Sequence, residues 1–278
     1  ATDIKGNQAV SLPVQIHQRP AHCFNGDLDE DEGETGIDCG GDDCGACDGE
    51  PCGTVSDTGS CDPIGDCANG LYCNDDSCEC EVATTITNVS PDNGAIGNLV
   101  TISGVNFGEY VDGDSAVYFD DGENNLLASL ASCDGSWTDT QIIIEVPDGF
   151  VNNSADIIVY TAGGSSDSTS NDSGYHGTFT VNDTLRPGIC SIDAPEGLAF
   201  SNITVIGAQF GSTIETLEIG GFTAPIDDWG NVEIAATIPN LQPGTVGVRV
   251  LVAGEYSNVV NLVINPDDIN PIIAYLEP

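Results

Sequence analysis

The sequence predicts an all-β chain, two tandem β-sandwiches preceded by a disulfide-rich, loop-dominated module, and three observations carry that prediction. Two long stretches are rich in Val, Ile and Thr and are broken by Gly, Pro or Asn about every eight to twelve residues, as short antiparallel strands are. No segment sustains the helical apolar period, so hardly any helix is expected. Of the 12 cysteines, all but Cys133 and Cys190 fall between Cys23 and Cys80, where almost no apolar residue is present to build a core.

The 278 residues suit two or three domains of ordinary size. Only 4 Lys and Arg face 45 Asp and Glu, a formal net charge of -41, with no Lys or Arg between Arg19 and Arg186. A phosphate backbone is bound by basic residues that release its counterions, so nucleic acid is excluded as a partner and anionic lipid is repelled. The same field attracts divalent cations, although acidity of this kind also simply keeps a surface solvated in salty or calcium-rich surroundings. Cysteine at this density belongs to an oxidising compartment, which points to an extracellular protein. No apolar run approaches the length of a membrane span, so no membrane insertion is expected; the start at Ala1 reads as a processed or excerpted segment.

In chain order, residues 1–22 are a strand segment and linker. Val10, Leu12, Val14 and Ile16 alternate strictly, the period of a strand with one buried face. Residues 23–82 form the Cys-rich acidic module. Its run from Asn25 sets Asp27, Asp29, Asp31, Glu34 and Asp38 around a glycine at position 33, and calcium takes about six to eight oxygen ligands from loops of this kind. Gly33 falls one place later than in an EF-hand loop and Asp38 stands where a bidentate Glu belongs, so a Ca2+ site and a solvated acidic loop both fit. Cys44-x-x-Cys47 and Cys78-x-Cys80 have neither a histidine nor positive surroundings, which favours disulfides over thiolate metal or redox chemistry. Cys23, Cys39, Cys44, Cys47, Cys52, Cys61, Cys67, Cys73, Cys78 and Cys80 are an even set that can pair internally, in a connectivity that spacing does not give. Cys133 and Cys190 remain, expected as one bridge clamping the junction between the two sandwiches.

Residues 83–184 and 185–266 repeat one another. Val100-Thr101-Ile102-Ser103-Gly104-Val105-Asn106-Phe107-Gly108 in the first matches Ile203-Thr204-Val205-Ile206-Gly207-Ala208-Gln209-Phe210-Gly211 in the second. Each continues with a short apolar strand, a strand ending at Pro147 or Pro239, and an alternating strand through Ile157 and Val159 or Val248 and Val250. Phe107 to Pro147 spans 40 positions and Phe210 to Pro239 spans 29, so the first copy carries about eleven extra residues, expected near Asp120 to Ser136.

The run from Ser90-Pro91 through Gly104-x-Asn106-Phe107-Gly108, with Ser136-Trp137-Thr138-Asp139-Thr140-Gln141-Ile142 farther on, resembles the IPT/TIG domains of plexin-type receptors, Rel-type transcription factors and many microbial surface proteins. The resemblance implies two tandem immunoglobulin-like β-sandwiches. The second copy departs from the pattern at Ala208-Gln209 and is read as lacking the Trp-Thr-Asp-Thr stretch. Glu34-Thr35-Gly36-Ile37-Asp38-Cys39-Gly40-Gly41, with Cys44 and Cys47, is similar to modules that recur in bacterial surface proteins, which implies a surface location.

Residues 267–278 line up with the start of a copy and read as the beginning of a third repeat or an exchanged terminal strand. Ile272, Ile273 and Leu276 therefore join Val10, Leu12, Val14 and Ile16 as candidate assembly strands, because a strand with one apolar face is sticky until something pairs with it. His17, His22 and His176 lie in no nucleophile or metalloprotease motif, and an enzyme is not expected. Sequons at Asn88, Asn152, Asn171, Asn182 and Asn202 permit glycosylation. Trp137 and Trp229 are expected as packing residues and stay open as ligand candidates. These features point to a structural subunit of an extracellular, cell-surface fibre or stalk, calcium-stiffened and assembled head to tail from copies of itself or adjacent repeats. The alternative is an adhesin or a module binding protein or surface glycans, through Trp229 or the loops near Asp120 and Ser165.

Overall fold

Apolar and polar side chains alternate along the strands, and the sheets they form meet across their apolar faces. The computed structural model describes residues 53–55, 61–63, 71–73, 80–162, 166–170 and 177–266. The chain divides into two units, Ala1–Ala83 and Thr84–Pro278. In the first, β1 (Gly53–Val55) pairs antiparallel with β2 (Cys61–Pro63), and β3 (Leu71–Cys73) with β4 (Cys80–Val82). Cys80 is fully buried and disulfide-bonded.

The second unit holds two sandwiches of ten strands each. The first comprises β5 (Thr85–Ser90), β6 (Asn93–Gly94), β7 (Leu99–Val105), β8 (Ala116–Asp120), β9 (Asn125–Leu127), β10 (Ser129–Leu130), β11 (Gln141–Glu145), β12 (Ser154–Tyr160), β13 (Ser166–Ser168) and β14 (Phe179–Val181). The second comprises β15 (Gly188–Asp193), β16 (Glu196–Gly197), β17 (Asn202–Ala208), β18 (Thr216–Ile219), β19 (Phe222–Thr223), β20 (Ile226–Trp229), β21 (Glu233–Thr237), β22 (Gly244–Val252), β23 (Glu255–Tyr256) and β24 (Val260–Ile264). The sheets of the first run β10-β11-β7-β5 and β6-β14-β12-β8-β9, with β13 also on β12. Those of the second run β20-β21-β17-β15 and β16-β24-β22-β18-β19, with β23 on β22, so the order repeats strand for strand. Only β6 with β14 and β16 with β24 pair in parallel among the described strands. A bulge recurs at the same place, between Ile86 and Asn88 and between Ile189 and Ser191. Among the described residues no helix is long and apolar enough to cross a membrane.

The inward residues make two cores. Phe107, Phe119 and Phe179 centre the first, Phe119 standing edge-on to Phe179 with ring centroids 5.3 Å apart. Phe210, Leu217, Ile219 and Val248 centre the second. Each such fully buried side chain stabilises the fold by about 1.5–3 kcal/mol. The repeated Gly-x-Asn/Gln-Phe-Gly run has a steric cause. A Cβ at Gly104 would meet the Phe107 ring and the Thr85 carbonyl, and one at Gly207 would meet the Phe210 ring and the Gly188 carbonyl. Asn106 and Gln209 then turn the chain with φ of 59° and 62°, a left-handed conformation that Asn tolerates better than most residues.

The eleven extra residues of the first copy are not one insertion near Asp120 to Ser136. Phe107 to Val117 spans ten positions against seven from Phe210 to Leu217. Val117 to Ala128, joined by the same backbone hydrogen bond as Leu217 to Ala224, spans eleven against seven. Leu130 to its partner Ile144 spans fourteen, where Ile226 to Ala236 spans ten. Three short loop extensions add the length, and the last of them carries Cys133.

Candidate functional site

The described residues offer two places where function can reside, the junction between the sandwiches and an open sheet face on the first. At the junction, β11 is buried on both sides. Ile142 and Ile144 face their own core, whereas Ile143 belongs to the apolar cluster of the second sandwich, as does Ala131. Thr101 on β7 points the same way and is fully buried. Its Oγ1 accepts a hydrogen bond from Asn258 Nδ2 at 2.9 Å, and the Asn258 side chain also accepts from the Ile189 N–H at 2.7 Å. Gln141 Oε1 accepts from the Asn261 N–H at 2.9 Å. Cys133 and Cys190 form a disulfide across the same boundary, their Cα atoms 5.9 Å apart. Arg186, between β14 and β15, donates to the Asn93 carbonyl and side chain at 3.2 and 2.8 Å and to the Tyr256 carbonyl at 3.3 Å, and it pairs with Glu255 at 2.7 Å. Breaking such a junction would expose apolar surface and strip a buried amide of its partners.

The open face is the outside of the β9-β8-β12 part of the first sandwich. Alternation sends Val117, Phe119, Ile157 and Val159 inward, leaving Ala116, Tyr118 and Asp120 of β8 and Asp156, Ile158 and Tyr160 of β12 outward. Register sets Ile158 opposite Tyr118 and Asp156 opposite Asp120. The two tyrosine rings meet edge to face, centroids 5.8 Å apart, beside a groove of about 440 Å³ that also reaches Asp114 and Asn125. Partial burial, and then the charge of Asp120, push the Asp156 carboxyl above the usual carboxylate range. Asp120 caps the following turn by accepting the Gly122 N–H at 2.8 Å. Among the described residues no hydrogen-bond donor or cation meets the Asp156 carboxylate.

The same face of the second sandwich is closed. At the places of Tyr118 and Ile158 stand Glu218 and Arg249, cross-strand partners joined by an ion pair of 2.7 Å. The Arg249 guanidinium lies 3.8 Å from the centroid of the Tyr256 ring, whose hydroxyl reaches Glu218 at 3.4 Å. Gly220 and Gly247 occupy the positions of Asp120 and Asp156, joined by a backbone hydrogen bond of 2.9 Å.

Two other singled-out features serve the frame. Trp137 and Trp229 each oppose the isoleucine five positions on, Ile142 and Ile234. Their indole N–H groups donate to the Gly108 carbonyl at 3.2 Å and the Phe210 carbonyl at 3.1 Å. Asp139 and Asn231, two positions after each tryptophan, accept the N–H of Gly108 at 3.0 Å and of Gly211 at 2.9 Å. The second copy therefore keeps its tryptophan latch as Trp229-Gly230-Asn231, a correction to the reading that the stretch is missing. Asp121 is a buried clasp. N–H groups of Val151 and Glu123, foremost, with those of Asn124 and Asn152, hold its carboxyl at about 2.

Residues 84–181 match the IPT/TIG domain model. No curated protein matches the chain. Among solved structures the chain is similar to a γ-CGTase from alkalophilic Bacillus clarkii, at 16% identity over 60% of this chain and 22% of that one, with a TM-score of 0.28. It is also similar to SGBP-B from a xyloglucan utilization locus in Bacteroides uniformis, at 18% identity, 65% and 49% coverage and a TM-score of 0.25. A surface glycan-binding protein from Prevotella bryantii gives 16% identity, 65% and 41% coverage and a TM-score of 0.24. The chain spans less than half the length of each of these proteins.

The open tyrosine face lies in the matched IPT/TIG domain, and its signal in the sequence is that outward positions of two alternating strands carry Tyr118, Ile158 and Tyr160 instead of polar residues. Of the sequons, Asn88 and Asn202 are exposed on strands. Asn152 is exposed and its Nδ2 donates to the Asp121 carbonyl at 2.7 Å, while Asn182 donates to Asn93 Oδ1 at 3.2 Å. Asp27, Asp29, Asp31, Glu34, Asp38, Asn171 and Ser165 lie outside the described residues, as do the three histidines and the terminal strand residues. So do Cys23, Cys39, Cys44, Cys47, Cys52, Cys67 and Cys78, while Cys61 sits on β2 and Cys73 on β3. Among the described residues no group of His, Cys, Asp and Glu is arranged to hold a metal ion.

Proposed function

We propose that the chain is a rigid, non-enzymatic structural segment of an extracellular surface assembly, a fibre or stalk in which one sandwich is locked to the next. The observation that supports this reading is the burial of Ile143, Ala131 and Thr101 of the first sandwich against the second. A flexible bead-on-string linker would leave these residues in water. The Cys133–Cys190 bridge favours an oxidising setting outside the cell, and cross-linking at a junction resists its separation under load. Calcium at the Asp27 to Asp38 loop and pairing through the terminal strands belong to the same proposal as its stiffening and joining steps. Electron microscopy and light scattering of the purified chain, in calcium and in chelator, test it. Filaments that soften or shorten in chelator are expected; monodisperse monomers in both conditions would reject assembly. The Tyr118–Tyr160 face favours a second role, contact with a partner.

A further inference from the structure

We infer that the open face of the first sandwich is a docking site for a cationic side chain, arginine or lysine, presented by a basic partner polypeptide. The second sandwich supplies the template. There, Arg249 bridges Glu218 and the face of the Tyr256 ring. In the first, its position is taken by Ile158, and a groove of about 440 Å³ opens there, lined by Tyr118, Ile158, Tyr160, Asn125 and Asp114, with the Asp120–Asp156 pair one outward step along the strands. Tyr118 and Tyr160, the latter 44% exposed, offer ring surface, and Asp156 and Asp120 oppose each other across the strands, where no Lys or Arg among the described residues pairs with either. The two arginines within the described residues are already engaged, Arg186 by Glu255 and Arg249 by Glu218. The side chains sit at different places, Glu218 where the first copy has Tyr118, and Asp120 and Asp156 where the second has Gly220 and Gly247, but the first face presents the same two chemistries, tyrosine rings and carboxylates, without an arginine of its own.

Charge complementarity chooses the occupant. A cation over a tyrosine ring gains from the ring quadrupole, and beside Asp156 and Asp120 it relieves the repulsion of like charges set opposite in a sheet. A neutral sugar could stack on one ring but would leave the carboxylates opposed. An anion would be repelled by the field of a chain with a net charge of -41. Leu127, exposed and cross-strand from Tyr118, gives the site an apolar border for the aliphatic stem of the incoming side chain.

The test is an NMR titration of the full-length, isotope-labelled protein with a blocked Gly-Gly-Arg-Gly-Gly peptide at physiological salt, with its Gln analogue as control. The expected result is a set of amide shifts confined to β8, β9 and β12, produced by the Arg peptide and not by the Gln peptide. Asp156→Asn and Tyr160→Ala should each weaken binding about tenfold. Ile158→Arg, which builds the second copy's arginine into the first, should remove binding while leaving the amide spectrum of the second sandwich unchanged. Shifts scattered over both sandwiches and insensitive to Ile158→Arg would reveal only delocalised attraction to an acidic surface and overturn the proposal. A neutral gluco-oligosaccharide that shifts these amides while the Arg peptide does not would overturn it equally.

Discussion

The outward faces of the two six-stranded sheets differ in chemistry although the strands beneath follow one order. In the second sandwich, glutamate, arginine and tyrosine satisfy one another, and the positions beside them are glycine. In the first, two tyrosines and two opposed aspartates stand open. Inward and turning positions instead agree in detail. Gly104 and Gly207 make room for Phe107 and Phe210, the tryptophan latches repeat, and the N–H freed at each bulge is tied by a side chain, Ile86 to Asp167 and Ile189 to Asn258, each at 2.7 Å. Backbone geometry dictates residue type where strands turn and approach closely. The solvent side of the sheet carries no such constraint, and there the two copies carry different side chains.

Several substitutions would break or sharpen this contrast. The largest effect is expected from separating the copies covalently. Cys133→Ser with Cys190→Ser opens a cross-link of sequence separation 57, worth up to about 4 kcal/mol of unfolding free energy by chain entropy, measurable by urea denaturation. Next, Gly104→Ala and Gly207→Ala should each cost about 3 kcal/mol, because neither the backbone carbonyl nor the Phe ring can move aside cheaply. Unequal losses at the two glycines would mean that the frames are not equivalent. Trp137→Phe and Trp229→Phe each remove one indole hydrogen bond, about 1 kcal/mol, with the greater loss at the more buried Trp229.

The smallest effects distinguish two neighbouring carboxylates by sign. Asp121 is held at about 2, below its usual 3.8, so its contribution is complete above the unfolded value and is lost as pH falls towards 2. Asp156 is shifted the other way, so its contribution is present when it is protonated and is lost as pH rises through its folded value. Thermal melts from pH 2 to 7 should show Asp121→Asn destabilising at neutral pH with a flatter acid limb. Asp156→Asn should instead hold or raise the melting temperature at neutral pH.

Much of the frame was legible because it follows from local sterics. Alternation through Ile157 and Val159, the Gly-x-Asn-Phe-Gly run and its copy, and the prolines closing β11 and β21 all mark strands and turns directly. The Cys133–Cys190 bridge could be anticipated because these two cysteines stand apart from the dense module. The tryptophan correspondence was hidden because loop extensions shift the alignment, and counting back five residues from Ile142 and Ile234 recovers it. The tyrosine face was hidden for another reason. Tyr118 and Tyr160 lie 42 positions apart in sequence, and only the pairing of β8 with β12 brings them together.

The most direct test of the junction is residual dipolar coupling on the oxidised full-length protein, using amides of residues 85–181 and 188–264. Two sandwiches locked through Ile143, Thr101 and Arg186 predict that one alignment tensor fits both sets. Two tensors of different magnitude would show that the sandwiches reorient independently and would contradict a rigid tandem.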